Sequence, residues 1–173
     1  REAHLFNMSE KFPRCIPDNL NLRIGYDYGL RNPFAAIWLA QLPTGDIYAF
    51  REAYGSGLLA VEQAQVIAAK TGLHEKGFKI VPDPAIWNQT NREGKDKNAP
   101  PHRVVDDLEL QIKGDPRYTA LVPGMNHRIP GFALLDRLLA RGNNFPNLYI
   151  EEGCENLWRE LTEAQWDQRG GLH

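Results

Sequence analysis

The stretch Ile24-Gly25-Tyr26-Asp27-Tyr28-Gly29 decides the reading of this chain. A strand-like run from Asn21 ends there in a carboxylate, and a glycine follows. Arg31, Asn32 and Pro33 then lead into a second apolar run. A second carboxylate, Asp83, closes another short run, Phe78-Lys79-Ile80-Val81-Pro82. Two acidic side chains at strand ends form a seat for a divalent cation, because hard cations take anionic oxygens on rigid supports. Taken singly, each has an ordinary reading. Asp27 caps the Tyr28-Gly29 bend, and Asp83 is a turn residue between Pro82 and Pro84. The order of elements along the chain decides whether the two meet.

Working outward, three strands are expected at Asn21–Asp27, 35–42 and 47–54, with the turn signal Pro43-Thr44-Gly45-Asp46 between the last two. Their short connections favour antiparallel pairing. The pattern then changes period. Ala60, Ala64, Ile67 and Thr71 recur at helical spacing, and Gly72 follows as a stop. A strand over 78–81 comes next, then a polar, loop-like stretch over 88–102. Val104, Leu108 and Ile112 mark a second helix ended by Gly114. A strand over 119–122 precedes a third helix, marked by Leu134, Leu135, Leu138 and Leu139 and ended by Gly142. A strand over 148–150 and a last helix through Leu157, Leu161 and Ala164 complete the order β-β-β-α-β-α-β-α-β-α. Three antiparallel strands followed by helix-crossover strands give an α/β mixed sheet with helices on both faces, the order of the ribonuclease H-like fold. In that order the first strand and the first strand after the helix are parallel neighbours. Asp27 and Asp83 then meet at adjoining carboxyl ends, where open α/β sheets place their sites.

Composition narrows the class. The chain has 173 residues, 42% of them hydrophobic and 24% charged, which fits one ordinary globular domain. No apolar run reaches membrane-spanning length, and no membrane role is expected. Cys15 and Cys154 are far apart and read as two free thiols. The net charge of −2 gives no global attraction to nucleic acid, so any such contact needs a local basic patch.

Such a patch is expected in the 88–102 loop, where Arg92, Lys95 and Lys97 follow Asp83 and are read as guides for a phosphate backbone. Arg128, with Asn126 and His127 before the third helix, is a further phosphate contact. The plain reading of the first group is a solvated loop, and of the second ordinary helix-entry chemistry. Glu52 follows Phe50 and Arg51, so alternation can turn it to either face. It is assigned a supporting acidic role, against the alternative of an exposed strand residue paired with Arg51 or a lysine. The four tryptophans, Trp38, Trp87, Trp158 and Trp166, read as packing residues. At one metal-bearing meeting point, Asp27 and Asp83 are the expected catalytic and metal-binding residues. One or two Mg²⁺ or Mn²⁺ ions are expected there; in a two-metal site, one activates water and the other stabilises the leaving oxygen during in-line phosphodiester cleavage.

At this point the chain resembles the nuclease domain of a tailed-bacteriophage terminase large subunit, the DNA-packaging motor. The similar stretches are Ile24–Gly29 with Asn32-Pro33-Phe34-Ala35, then residues 47–54, Asp83-Pro84-Ala85, Asn126-His127-Arg128 with Gly131, and Cys154-Glu155-Asn156-Leu157 with Glu160-Leu161. Together they cover nearly the whole chain from about Asn21, and their order is more specific than any one of them. The resemblance implies a metal-dependent endonuclease that cuts concatemeric double-stranded DNA with little sequence preference. It also implies an upstream ATPase domain, the terminase small subunit and the portal protein as partners, and action in the host bacterial cytoplasm during virus assembly. Residues 1–20 are then the linker from the ATPase domain, and 21–173 the nuclease domain, short of its extreme C-terminal segment. The family's third metal carboxylate is expected beyond His173. Trp166-Asp167-Gln168 does not match its context.

Other readings stay open. An actin-like or sugar-kinase-like ATP-binding lobe also begins with three antiparallel strands and an Asp-x-Gly turn, here Asp27-Tyr28-Gly29, but needs a second phosphate turn that the sequence lacks. A transposase or junction resolvase shares the metal logic but carries a third acidic residue on a late helix. A non-catalytic domain that only clamps DNA is the non-enzymatic alternative.

Overall fold

A computed structural model describes residues 4–13, 15–17, 19–91, 102–125, 127–140 and 147–163. In chain order the elements are β1 (Leu5–Phe6), α1 (Met8–Lys11), β2 (Asn21–Asp27), β3 (Phe34–Gln41), β4 (Ile47–Gly55), α2 (Ala60–Lys70), β5 (Phe78–Pro82), a 3₁₀ turn (Pro84–Trp87), β6 (Thr90–Asn91), β7 (His102–Arg103), α3 (Val104–Ile112), β8 (Tyr118–Leu121), α4 (Arg128–Leu139), β9 (Leu148–Glu151) and α5 (Glu155–Glu163).

Seven strands form one mixed sheet in the order β1-β9-β4-β3-β2-β5-β8. β2, β3 and β4 run antiparallel, as their short connections dictate. β5 joins β2 in parallel, β8 joins β5 in parallel, and β9 joins β4 in parallel. Strand alternation then builds two cores. Ile24, Tyr26, Trp38 and Ile80 face α2 and α3, which contribute Ala60, Ala64, Ile67, Val104, Val105 and Leu108. Ala49, Leu148 and Ile150 face the other way, towards Leu138 of α4 and Leu157 and Leu161 of α5. Trp38 is fully buried, and Trp87 and Trp158 pack against the two cores, while Trp166 lies outside the described residues.

Three segments differ from expectation. Residues 4–12, where the sequence pattern marks no strand or helix, build an edge. Ile150 N–H donates to His4 O at 2.6 Å and Glu152 N–H to Phe6 O at 3.2 Å. The Phe6 ring meets Tyr48 edge-on at 5.0 Å. A two-residue strand is too short to leave a periodic signal, so only the tertiary contacts reveal it. The stretch 88–102, expected to be a loop, is paired at its ends: Thr90 opposes Arg103, and Asn91 opposes His102. Helix α4 begins at Arg128, ahead of its leucine pattern, and its cap is Ala140. Gly142 is outside the described residues. Of the other two expected stops, Gly114 takes the left-handed conformation, φ +81°, that closes α3.

Polar ties hold the loop ends. The Arg117 guanidinium donates to Ala68 O and Thr71 O, carbonyls at the C-terminus of α2, and pairs with Asp115 at 2.6 Å. Glu75 accepts from both terminal nitrogens of Arg51, at 2.8 and 2.7 Å, and from Gly72 N–H at 2.8 Å. Burial works against its charge. The Arg51 hydrogen bonds and charge, the Gly72 amide and the nearby Arg117 outweigh it and hold the carboxyl below its ordinary value of 4.5.

A carboxylate with a lowered folded-state pKa adds stability above its unfolded pKa, and that stability is lost as pH falls through the folded value. Glu75→Gln is therefore expected to lower stability by about 1–3 kcal/mol at neutral pH. The gap between wild type and variant narrows as pH falls below 4.5. Urea unfolding at neutral and at acid pH measures it.

Candidate metal centre

The parallel ladder between β2 and β5 runs Arg23↔Lys79, Ile24↔Ile80, Gly25↔Val81 and Tyr26↔Pro82. The next pair in that register is Asp27 and Asp83. The Asp83 N–H donates to Tyr26 O at 3.0 Å, so the ladder carries through to the second carboxylate. Neighbouring strands lie about 4.8 Å apart, and equal parity turns both side chains to one face. It is the face opposite Ile24, Tyr26, Ile80 and Pro82, which are buried. Asp83 Oδ1 also accepts from Ala85 N–H at 2.7 Å and so caps the 3₁₀ turn that follows. Pro84, in that first turn, suits it because its ring pre-sets the backbone angle.

The surroundings are apolar. A depression of about 460 Å³ runs between the sheet and helices α4 and α5, lined by Gly25, Asp27, Ile37, Leu157 and Leu161 among others. A second cleft of about 410 Å³ is lined by Asp83, Met125, His127 and Phe132. Leu135 and Leu138 wall both, so α4 stands beside the two carboxylates. The β8–α4 connection is held close to Asp83. Gly124 N–H donates to Pro82 O at 2.9 Å, and a Cβ on Gly124 would come within 3.0 Å of that oxygen.

Among the described residues, no group of three or more His, Cys, Asp or Glu is placed to hold a metal ion. Two carboxylates on adjoining strand ends still fit a magnesium-type ion, which takes one or two protein carboxylates and fills its shell with water and phosphate oxygens.

Glu52 shares this face. It opposes Ile37, which opposes Gly25, so it lies two strands over from β2, roughly 10 Å away. The bulge at Phe50, between Trp38↔Arg51 and Leu39↔Ala49, decides which way it turns. Its carboxylate is engaged elsewhere. Oε1 accepts from Asn156 N–H at 3.0 Å and from Asn156 Nδ2 at 2.7 Å, and Oε2 accepts from Leu157 N–H at 2.8 Å. A strand side chain thus caps the N-terminus of α5, where unpaired amides and the helix dipole favour an anion. Periodicity could not reveal this, because the two partners are over a hundred residues apart.

Of the expected phosphate contacts, Arg92, Lys95 and Lys97 lie outside the described residues, in the connection between β6 and β7. Arg128 is the first residue of α4, and its side chain is also outside them. The structure adds a pair that sequence reasoning missed. Arg23 and Lys79 are cross-strand partners, both exposed, on the face that carries Asp27 and Asp83. Like charges directly opposite repel. Their only sequence signal is polar positions alternating inside apolar strands.

Replacing Glu52 with alanine is expected to cost about 1–3 kcal/mol, because it strands two backbone N–H groups and an amide. Denaturant unfolding measures the loss, and the signal of Trp158 on α5 reports whether that helix detaches first.

No family model matches the chain, and no curated protein matches it. Its fold does match solved structures. The P22 large terminase nuclease domain superposes with a TM-score of 0.68 at 15% identity, over 99% of this chain and 79% of that one. The large terminase of a thermophilic bacteriophage, in complex with ADP, gives 0.64 at 15% identity. There 99% of this chain is covered but only 38% of the other, so the present chain spans well under half of that protein. The nuclease domain of the large terminase subunit of bacterial virus Sf6 gives 0.52 at 12% identity, over 99% and 83%. The chain therefore has the ribonuclease H-like fold of terminase large-subunit nuclease domains, along nearly its whole length.

Proposed function

We propose that this domain is the nuclease of a phage terminase large subunit, a metal-dependent endonuclease that cuts concatemeric double-stranded DNA as the viral genome is packaged. The observation that carries the reading is the β2–β5 register, which sets Asp27 and Asp83 side by side at the carboxyl ends of parallel strands. The fold it shares with the P22 and Sf6 nuclease domains supports it. By the same likeness, an ATPase domain, the small subunit and the portal protein are the proposed partners, in the host cytoplasm. The thermophilic phage's large terminase, of which this chain spans 38%, was solved with ADP, in keeping with a nucleotide-binding part elsewhere in such a protein.

Asp27 and Asp83 are the proposed ligands for Mg²⁺ or Mn²⁺, in a two-metal site. When bound, such ions neutralise charge developing on phosphoryl oxygens and make water a better nucleophile. The protein's part is positional. The two strand ends hold anionic oxygens at fixed spacing, and the Asp83 cap on the 3₁₀ turn limits its rotation. Leu135 and Leu138 give the site an apolar wall on one side. Arg23, Lys79, Arg92, Lys95, Lys97 and Arg128 are the proposed contacts to the DNA backbone, which recognise charge rather than sequence.

A non-catalytic DNA clamp is the second reading. It is favoured by one observation: Glu52, the further carboxylate on this face, is committed to α5.

Two experiments test the proposal, and the first separates the two readings. Asp27→Asn and Asp83→Asn keep side-chain shape but remove charge. Each is expected to abolish Mn²⁺ binding in calorimetry and to slow Mn²⁺-dependent plasmid cleavage by ~10²-fold or more. Wild-type cleavage in either variant sinks the assignment, and a wild-type protein that binds DNA but never cuts it favours the clamp. In the second, neutralising Arg92, Lys95 and Lys97 together should weaken DNA binding for every sequence alike. It should also flatten the salt dependence by roughly 0.9 in log–log slope per lost phosphate contact. An unchanged slope means the DNA is held elsewhere.

A further inference from the structure

Gln63 of α2 is fully buried. Its Oε1 accepts from the Tyr26 hydroxyl at 2.8 Å. Its Nε2 donates to Gly29 O at 2.6 Å and to Leu58 O at 2.7 Å. Two carbonyls can only accept, so they fix which end of the amide faces them. Tyr26 lies one residue before Asp27, and Gly29 two residues after it. The same side chain therefore grips the chain on both sides of the first carboxylate.

The turn after Asp27 has reason to need an outside anchor. A Cβ on Gly29 would lie 2.4 Å from both Asn32 O and Pro33 O, so no side chain fits there. A glycine cannot anchor itself by its own side chain. The turn is held instead from the stretch that enters α2: Gly57 N–H donates to Leu30 O at 3.1 Å, and Gln63 takes Gly29 O. An apolar residue at 63 would fill the space but take the donor from two carbonyls, of which that of Gly29 is buried. Tyr26 is also the residue whose carbonyl takes the Asp83 amide. One buried amide thus ties together the exit of β2, the entry to α2 and, through Tyr26, the last rung of the β2–β5 ladder.

We propose that Gln63 is a positioning residue for Asp27: by clamping the strand end and the turn on either side of it, Gln63 fixes that carboxylate beside Asp83. The effect on divalent-cation affinity rests on the metal role proposed for the pair; the clamp does not.

The test uses three variants. Gln63→Met removes all three bonds and keeps the side chain's length. Tyr26→Phe removes one of them. Thr71→Val is the control, since that buried hydroxyl accepts from Trp38 Nε1 at 3.1 Å and from Tyr118 OH at 3.0 Å, at the opposite end of α2. The readouts are native-state hydrogen exchange of the Asp83 amide and Mn²⁺ affinity by titration calorimetry. Gln63→Met is expected to speed exchange at Asp83 about tenfold beyond what its loss of global stability predicts. Mn²⁺ binding should weaken by a similar factor. Tyr26→Phe should do the same to a smaller degree, and it carries the comparison alone should Gln63→Met not fold. Thr71→Val should lower the melting temperature and move neither local readout. Exchange at Asp83 that merely follows global stability in all three variants overturns the clamp. Exchange that responds to Gln63→Met, in a protein whose wild type binds no Mn²⁺, supports the clamp and removes the metal reading.

Discussion

The structure depends on the parallel pairing of β2 with β5. Ile24 stands between Trp38 on one side and Ile80 on the other, and all three are fully buried. A slip of one residue in either strand would turn that row to the opposite face and expose it. The hydrophobic row therefore locks the register. The register in turn sets Asp27 opposite Asp83, three residues further along the same ladder. The geometry of the polar site is a consequence of apolar burial one layer away, on the other side of the sheet.

The polar interactions that matter most join helix ends to the rest of the fold. Glu52 of β4 caps the start of α5, Arg117 takes the terminal carbonyls of α2, and Glu75 links the Gly72 amide to Arg51. Each satisfies groups that a helix or turn cannot satisfy by itself. Because each partner is a strand or loop side chain, the same bonds fix where the helices sit on the sheet. The two faces are not equivalent. α2 and α3 cover one, while on the other α4 and α5 pack near β4 and β9 and leave Arg23 and Lys79 exposed.

Much of the fold was legible from residue order. The three leading strands show alternation, α2 and α3 show helical spacing, and Gly114 marks a stop that the backbone uses. Elements with little period of their own were not legible. Leu5–Phe6 is two residues long and is recognised only by its pairing with β9. Thr90–Asn91 and His102–Arg103 carry no apolar pattern, since they pair with each other and not with the main sheet. Glu52 was visible as an acidic residue, but its role was not, because the Phe50 bulge sets its direction and its partners come from the far end of the chain.

The sequence by itself determined the class of sheet and the candidate carboxylates. Hydrophobic period and turn residues are local signals, and a carboxylate at a strand end is visible wherever the strand lies. The tertiary structure decided how side chains distant in sequence are shared out. It set which face Glu52 joins, and it brought Gln63 to Tyr26 and Gly29 and Arg23 opposite Lys79. Those outcomes depend on strand register, on one bulge and on where a helix docks. Each is settled by burial summed over the whole core, so no local window of the chain contains it.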